Sequence, residues 1–430
     1  ERSRGLGDVY KRQALALYLA QIRSTRKYYS TKNSVKNVLD KTPIIGKGIG
    51  KAVKGTKQLL KYAIYHSNLF EDLGFKYLGP IDGHNLDELT EALMVAKMMQ
   101  RPCLVHIYTK KGKGYAPAED NSGEYHGLPP KKDDDNNCKG ECFTDAFGKA
   151  LLLFADNDNS IYAVTAAMKY GTGLQHFYKA FPERFFDVGI AEQHAVTFSA
   201  GLASQGKLPV FAVYSSFLQR SYDQLIHDCA IEKRHVVLGI DRAGFVGEDG
   251  ETHHGLFDVA MLTTVPGVTV YSPSDTAELS QCLEQALYKD KGVVAVRYPR
   301  GCELYRSGTK AYSDFRHVSN KSRKLIFTYG RISAYAYTVH GVDVLQAIKI
   351  FPIADEIIDI CLAYDEIYAF EEGEREGGIA QKLCTALALA GYKGRFTITA
   401  VDGFVRHADV ATQLHNAMLD ADGMRKITGE

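Results

Sequence analysis

A chain of 430 residues, 45% hydrophobic and 24% charged, can bury more than one core, and at roughly 150 residues per domain it divides into about three. Its 52 basic and 51 acidic residues nearly cancel, which argues against nucleic acid or an anionic membrane as the main partner, so any anion site must be local. No apolar run reaches the about 18 residues a membrane helix needs, and eight cysteines scattered mostly through apolar runs fit reduced thiols in the cytoplasm better than a disulfide framework.

Residues 1–13 (ERSRGLGDVYKRQ) have neither helical nor strand periodicity and no signal-peptide pattern, and they read as a non-native leader. The Lys-rich stretch from Lys32 to Lys61 reads as a solvated helix face. FEDLGFKYLGPIDGHNLDELTEALMVAKMM predicts a short strand, a turn, and a helix begun by Asn85 or Asp87. PCLVHIYTKKGKGY then predicts a buried strand emptying into a Gly/Lys loop, which completes a segment over 14–118. The polar, Pro/Gly-bearing residues 119–142 predict a linker, in which His126 reads on its own as a solvated loop histidine; Cys138 and Cys142 lack the second Cys/His pair of a zinc site.

From 143 to 301, strands such as SIYAVTAAM, PVFAVYSSF, HVVLGIDRA and VVAVRYP alternate with helices such as AVTFSAGLASQG, SYDQLIHDCAIEK and DTAELSQCLEQAL. Near-continuous Val/Ile-rich strands separated by helices predict an α/β fold with a parallel sheet covered on both faces. A second polar break over 302–323 precedes a smaller αβ set over 324–430, whose helix near 331–340 is short.

In open parallel sheets, ligands gather at the carboxyl ends of the strands, so the loops there carry the candidates. In DVGIAEQHAV, Glu192 sits at a turn between apolar segments, partly desolvated and suited to share a proton with a ligand nitrogen; the bland alternative is a carboxylate on a helix dipole. YSSFLQRSYDQ sets Tyr214, Phe217 and Arg220 beyond a strand, an aromatic face beside a cation, with core packing of Phe217 as the alternative. IDRAGFVGEDGETHHGLFD packs Arg242, Asp249, Glu251, His253 and His254 into one glycine-rich loop, which brings acid, base and cation together. Adjacent histidines rarely point at one ion, so a metal is not expected from His253 and His254. VRYPRG adds Arg297 and Arg300 as possible phosphate forks, or as surface ion pairs.

These segments, with LGPIDGH and KKGKGY before them, resemble the 1-deoxy-D-xylulose-5-phosphate synthases of the transketolase superfamily from about residue 14 to the end. The resemblance implies a transketolase-like architecture: a remnant of the diphosphate-binding domain (14–118), a pyrimidine-binding domain (143–301) and a C-terminal domain (324–430). It implies condensation of pyruvate with glyceraldehyde 3-phosphate, with loss of carbon dioxide, on thiamine diphosphate and Mg2+ in a homodimer. Glu192 is then the carboxylate that switches the aminopyrimidine tautomer, and Phe217 stacks on that ring, with Tyr214, Arg220 and Tyr115 close to the cofactor. Arg242 and Arg297 hold the acceptor phosphate, Asp249 and His253 line the substrate pocket, and His126 takes a proton-transfer role. The family's GDG element, which ligates Mg2+, does not occur in this chain. The sequence therefore reads as a C-terminal portion that binds the cofactor poorly and is inactive alone, with a split transketolase or a β-type 2-oxo acid dehydrogenase subunit as the alternative.

Overall fold

The protein is described by a computed structural model that covers residues 69–126, 140–304, 306, 308 and 311–430. The leader, the Lys-rich stretch and Cys138 lie outside the described residues. The chain falls into two compact units, one ending at Leu128 and one running from Pro129 to Glu430.

The first unit is built around β1 (Lys76–Asp82), helix α1 (Leu86–Met98) and β2 (Cys103–Tyr108), with the two strands parallel. Asn85 starts the helix as expected, its side-chain oxygen accepting from the Glu88 amide. No residue of α1 is buried, and Leu86, Leu93, Met94 and Met98 are exposed.

The second unit opens with α2 (Phe143–Asn157), β3 (Ile161–Thr165), β4 (Phe185–Asp187), α3 (Glu192–Ser204), β5 (Leu208–Tyr214) and β6 (Val236–Asp241). It continues through β7 (Thr269–Tyr271), α4 (Thr276–Tyr288) and β8 (Val293–Arg297). The later part holds β9 (Phe315–Val318), β10 (Lys324–Tyr329), β11 (Asp343–Ala347), β12 (Lys349–Phe351), α5 (Asp355–Leu362), β13 (Glu366–Glu374), α6 (Ile379–Leu389), β14 (Arg395–Val401) and α7 (Val410–Asn416).

A seven-stranded sheet in the order β12-β7-β8-β6-β5-β3-β4 is parallel except for β12, which pairs antiparallel with β7. A five-stranded sheet in the order β14-β13-β10-β11-β9 is parallel except for β9 at its edge. Every residue of β6 and β8 is buried, as continuous Val/Ile runs require in a sheet covered on both faces. β6 makes room for α2 at Gly239, where an added Cβ would lie 2.4 Å from the Phe147 ring.

Three expectations need correction. The break at 302–323 contains strand β9, and β12 joins the later segment to the first sheet, so the polar stretch is no free linker. SYDQLIHDCAIEK is not one α-helix, because Leu225–Ile231 runs as a π-helix. Reduced thiols are found at the buried Cys229, Cys282 and Cys361, but Cys302 is disulfide-bonded. The helix near 331–340 is short, Ser333–Ala336 after one 3-10 turn.

Candidate functional site

The chain runs from β3 outward to β4, then returns through α3 to β5 on the other side of β3, so the strand order reverses between β3 and β5. Such reversals open a crevice at the strands' carboxyl ends. Glu192 begins α3 there, with its side chain 2% exposed. Nothing local explains a buried carboxylate at an uncapped helix start except its partner, since Arg220 Nη1 donates to both oxygens, at 2.9 and 3.1 Å. Arg220 is itself half exposed at 49%, so this pair stands at the rim of the crevice and not within the core.

From Arg220 the contacts run along aromatic rings. Its guanidinium carbon lies 5.2 Å from the Phe217 ring centre. Phe217 meets His253 edge-on at 5.3 Å and stacks on Tyr214 at 5.8 Å. Tyr214, the last residue of β5, carries the Arg242 guanidinium 4.1 Å from its ring centre. Five of the predicted residues thus form one continuous surface with Glu192.

The loop between β6 and Asp258 supplies the charged end. Arg242 sits in the left-handed region at φ 60°, a conformation that costs a non-glycine residue about 1–3 kcal/mol and persists only where surroundings enforce it. It pairs with Asp249, whose other oxygen lies 3.4 Å from Arg300 Nη1. Arg300 also donates to Glu248 at 3.0 Å and to the Val246 carbonyl at 2.7 Å. Burial lowers the Arg242 and His253 pKa values and raises that of Tyr214. Behind them the fully buried Asp241 has its carboxyl pushed up to about 7 by desolvation, against a hydrogen bond from Thr144 at 2.8 Å.

Arg297 is elsewhere. It is buried, and its Nε and Nη2 donate to the two oxygens of buried Asp258 at 2.8 and 3.2 Å. A guanidinium held this way has no free face for a phosphate, which corrects the expectation for Arg297; the arginine that shares Asp249 with Arg242 is Arg300. His254 is also structural: buried, it accepts from the Val246 amide at 3.2 Å. In the first unit, Tyr115 is exposed with its ring edge-on to Tyr125 at 5.6 Å, and exposed His126 has Nδ1 2.7 Å from Lys111 Nζ.

A family model described as "Transketolase, pyrimidine binding domain" matches residues 142–303, and one described as "1-deoxy-D-xylulose-5-phosphate synthase" matches residues 11–109. The second match begins inside the segment read as a leader. A 1-deoxy-D-xylulose-5-phosphate synthase of Clostridium kluyveri is 46% identical over 330 residues, covering 74% of this chain and 52% of that one. That of Caldanaerobacter subterraneus subsp. tengcongensis is 39% identical over 428 residues, covering 96% of this chain and 69% of that one. The Brevibacillus brevis protein of the same name is 40% identical, covering 95% and 68%. The chain thus spans about half to seven-tenths of these curated relatives. Among solved structures, a split-gene transketolase described as an inactive beta4 tetramer superposes with a TM-score of 0.59 at 23% identity, over 66% of this chain and 96% of that one. A transketolase from Campylobacter jejuni gives 0.55 at 15% identity, over 84% and 68%. Both support the fold.

Proposed function

The chain belongs to the 1-deoxy-D-xylulose-5-phosphate synthase family, and from that membership we propose that it supplies the pyrimidine-binding and acceptor-binding parts of an enzyme that joins pyruvate to glyceraldehyde 3-phosphate, releasing carbon dioxide and giving 1-deoxy-D-xylulose 5-phosphate. The observation that carries this reading is the buried Glu192 opening onto Arg220, Phe217 and His253. These residues fit the aminopyrimidine end of thiamine diphosphate: Glu192 is a shielded carboxylate for a ring nitrogen and Phe217 an aromatic face, while the hydroxyls of Ser215, Ser216 and Ser221 lie buried beside them with no hydrogen-bond partner. When bound, the cofactor supplies the electron sink for decarboxylation.

The chain's own residues divide the remaining work. Glu192 shares a proton with the pyrimidine nitrogen and so fixes its tautomer. Arg242 and Arg300 bind the acceptor phosphate, with Asp249 holding the two guanidiniums side by side before it arrives. His253, kept neutral by its partial burial, exchanges a proton at the aldehyde oxygen, and Tyr214 forms the wall between the two ends. Tyr115 and His126 belong to the same reading as cofactor and proton-transfer residues. So does Mg2+, for which no group of three or more His, Cys, Asp or Glu side chains is found among the described residues. A cytoplasmic homodimer completes it; no helix among the described residues is long and apolar enough to cross a membrane. A split transketolase is less well supported, because its similarity stays at 23% identity.

The test is carbon dioxide release from pyruvate in the presence of glyceraldehyde 3-phosphate, with the chain joined to a GDG-bearing segment of a relative. Glu192→Gln is expected to abolish release without moving the unfolding temperature. Turnover by that variant at the unmodified rate would sink the assignment.

A further inference from the structure

The loop that carries Arg242, Asp249 and His253 has little structure of its own. It is two 3-10 turns, Gly247–Asp249 and Glu251–His253, closed by backbone pairing of Gly244 with Gly255. Its order comes from the later part of the unit. Glu372, on β13, is buried, and its Oε1 accepts from the Phe245 amide at 2.7 Å. The same carboxylate takes two hydrogen bonds from Arg331, one of them Nε to Oε2 at 2.9 Å. Arg331 in turn donates Nη2 to the Phe245 carbonyl at 2.9 Å and Nη1 to the Arg300 carbonyl at 3.3 Å. One buried ion pair therefore grips the backbone of both segments that bear the phosphate-facing arginines.

Three further features agree. Gly244 has φ +80°, and an added Cβ would sit 2.3 Å from Glu372 Oε1, so the turn is moulded on that carboxylate. At the far side of the loop, Gln413 Oε1 accepts from the Gly247 amide at 3.3 Å and His407 Nε2 donates to the Glu248 carbonyl at 3.2 Å. The side chains of Phe245 and Leu256 lie in one apolar cluster with Ile326, Ile332, Phe370 and Leu414. A buried Arg–Glu pair often gives little net stability compared with apolar side chains of similar volume. What such side chains cannot replace is the set of directed bonds to Phe245 and Arg300.

We propose that Arg331 and Glu372, with Gln413 at the opposite end, are positioning residues that hold Arg242, Asp249 and Arg300 in register for the phosphorylated acceptor. The proposal rests on the acceptor site proposed above for its kinetic consequence, though not for its structural one. The test pairs hydrogen exchange on this chain with kinetics on the active fusion described earlier. In Arg331→Met/Glu372→Leu, where no buried charge is left alone, amide exchange over 245–250 should rise about tenfold or more while the unfolding temperature is kept. The KM for glyceraldehyde 3-phosphate should rise about tenfold, against a change under about twofold for pyruvate. Gln413→Ala, a neutral change, should loosen Gly247 and shift the same KM in the same direction, and it carries the test should the double variant fail to fold. Unchanged loop exchange in a folded variant overturns the proposal. Loosened exchange with both KM values unmoved overturns it equally, whereas an inactive parent fusion fails the functional reading and leaves the exchange result to decide the brace.

Discussion

Arg297 and Arg300 stand three residues apart on one strand end and meet different fates. The first is buried on Asp258, the second faces Asp249. Arg297→Ala would strand the Asp258 carboxylate in the core and is expected to cost about 3–5 kcal/mol in urea unfolding. Arg300→Ala should leave stability nearly unchanged and raise the KM for the acceptor; the opposite pattern would restore the original assignment. The sequence could not separate them, because the deciding partner lies 39 residues upstream. Glu192, Phe217 and Arg220 were legible as candidates because each follows the end of a strand, and Tyr214 because it closes one. The Arg220 contact with Glu192 was not, since it joins two separate loops. Asp241 offers a pH test. Its folded-state pKa is raised, so between about pH 4 and 7 the native chain holds a proton that the unfolded chain has released. That favours the fold at the acidic end and is lost as the pH rises through about 7. Asp241→Asn should therefore gain on the parent protein between pH 5 and pH 8 in unfolding midpoint. A parallel pair of curves would refute the shift.

At the scale of elements, periodicity placed α1, α3, α4 and α6 and several of the buried strands, because burial on both faces leaves a continuous apolar run, but it did not place α2 or β11. It missed β9 and β12, with four and three residues, whose pairing is set by neighbours far along the chain. It also missed the π-helix at Leu225–Ile231, where Asp228 accepts from Thr197 of α3 at 2.5 Å and contacts His227 at 2.8 Å. A side-chain bond across helices has no signature in helical spacing. Packing makes its own demand at Gly239, under Phe147. Gly239→Ala is expected to destabilise by about 1–3 kcal/mol through overpacking, read by denaturant titration. A neutral result would mean that α2 can shift away from the sheet.

Over the second unit as a whole, the polar break at 302–323 overstated the independence of the segments on either side of it. The late segment lends β12 to the first sheet, and the pair Arg331–Glu372 binds the β6 loop. Residues 140–430 are accordingly expected to melt in one calorimetric transition; two resolved transitions would show that the segments fold separately.

The borrowed strand also dictates where recombination between relatives can succeed. A chimaera cut in the polar stretch at 302–323 would hand the first sheet an edge from another parent, while a junction beyond Phe351 leaves β7 with its own neighbour. Grafted tails should thus be chosen with matching residues opposite Val270 and Tyr271, or the crossover moved downstream of the strand they face.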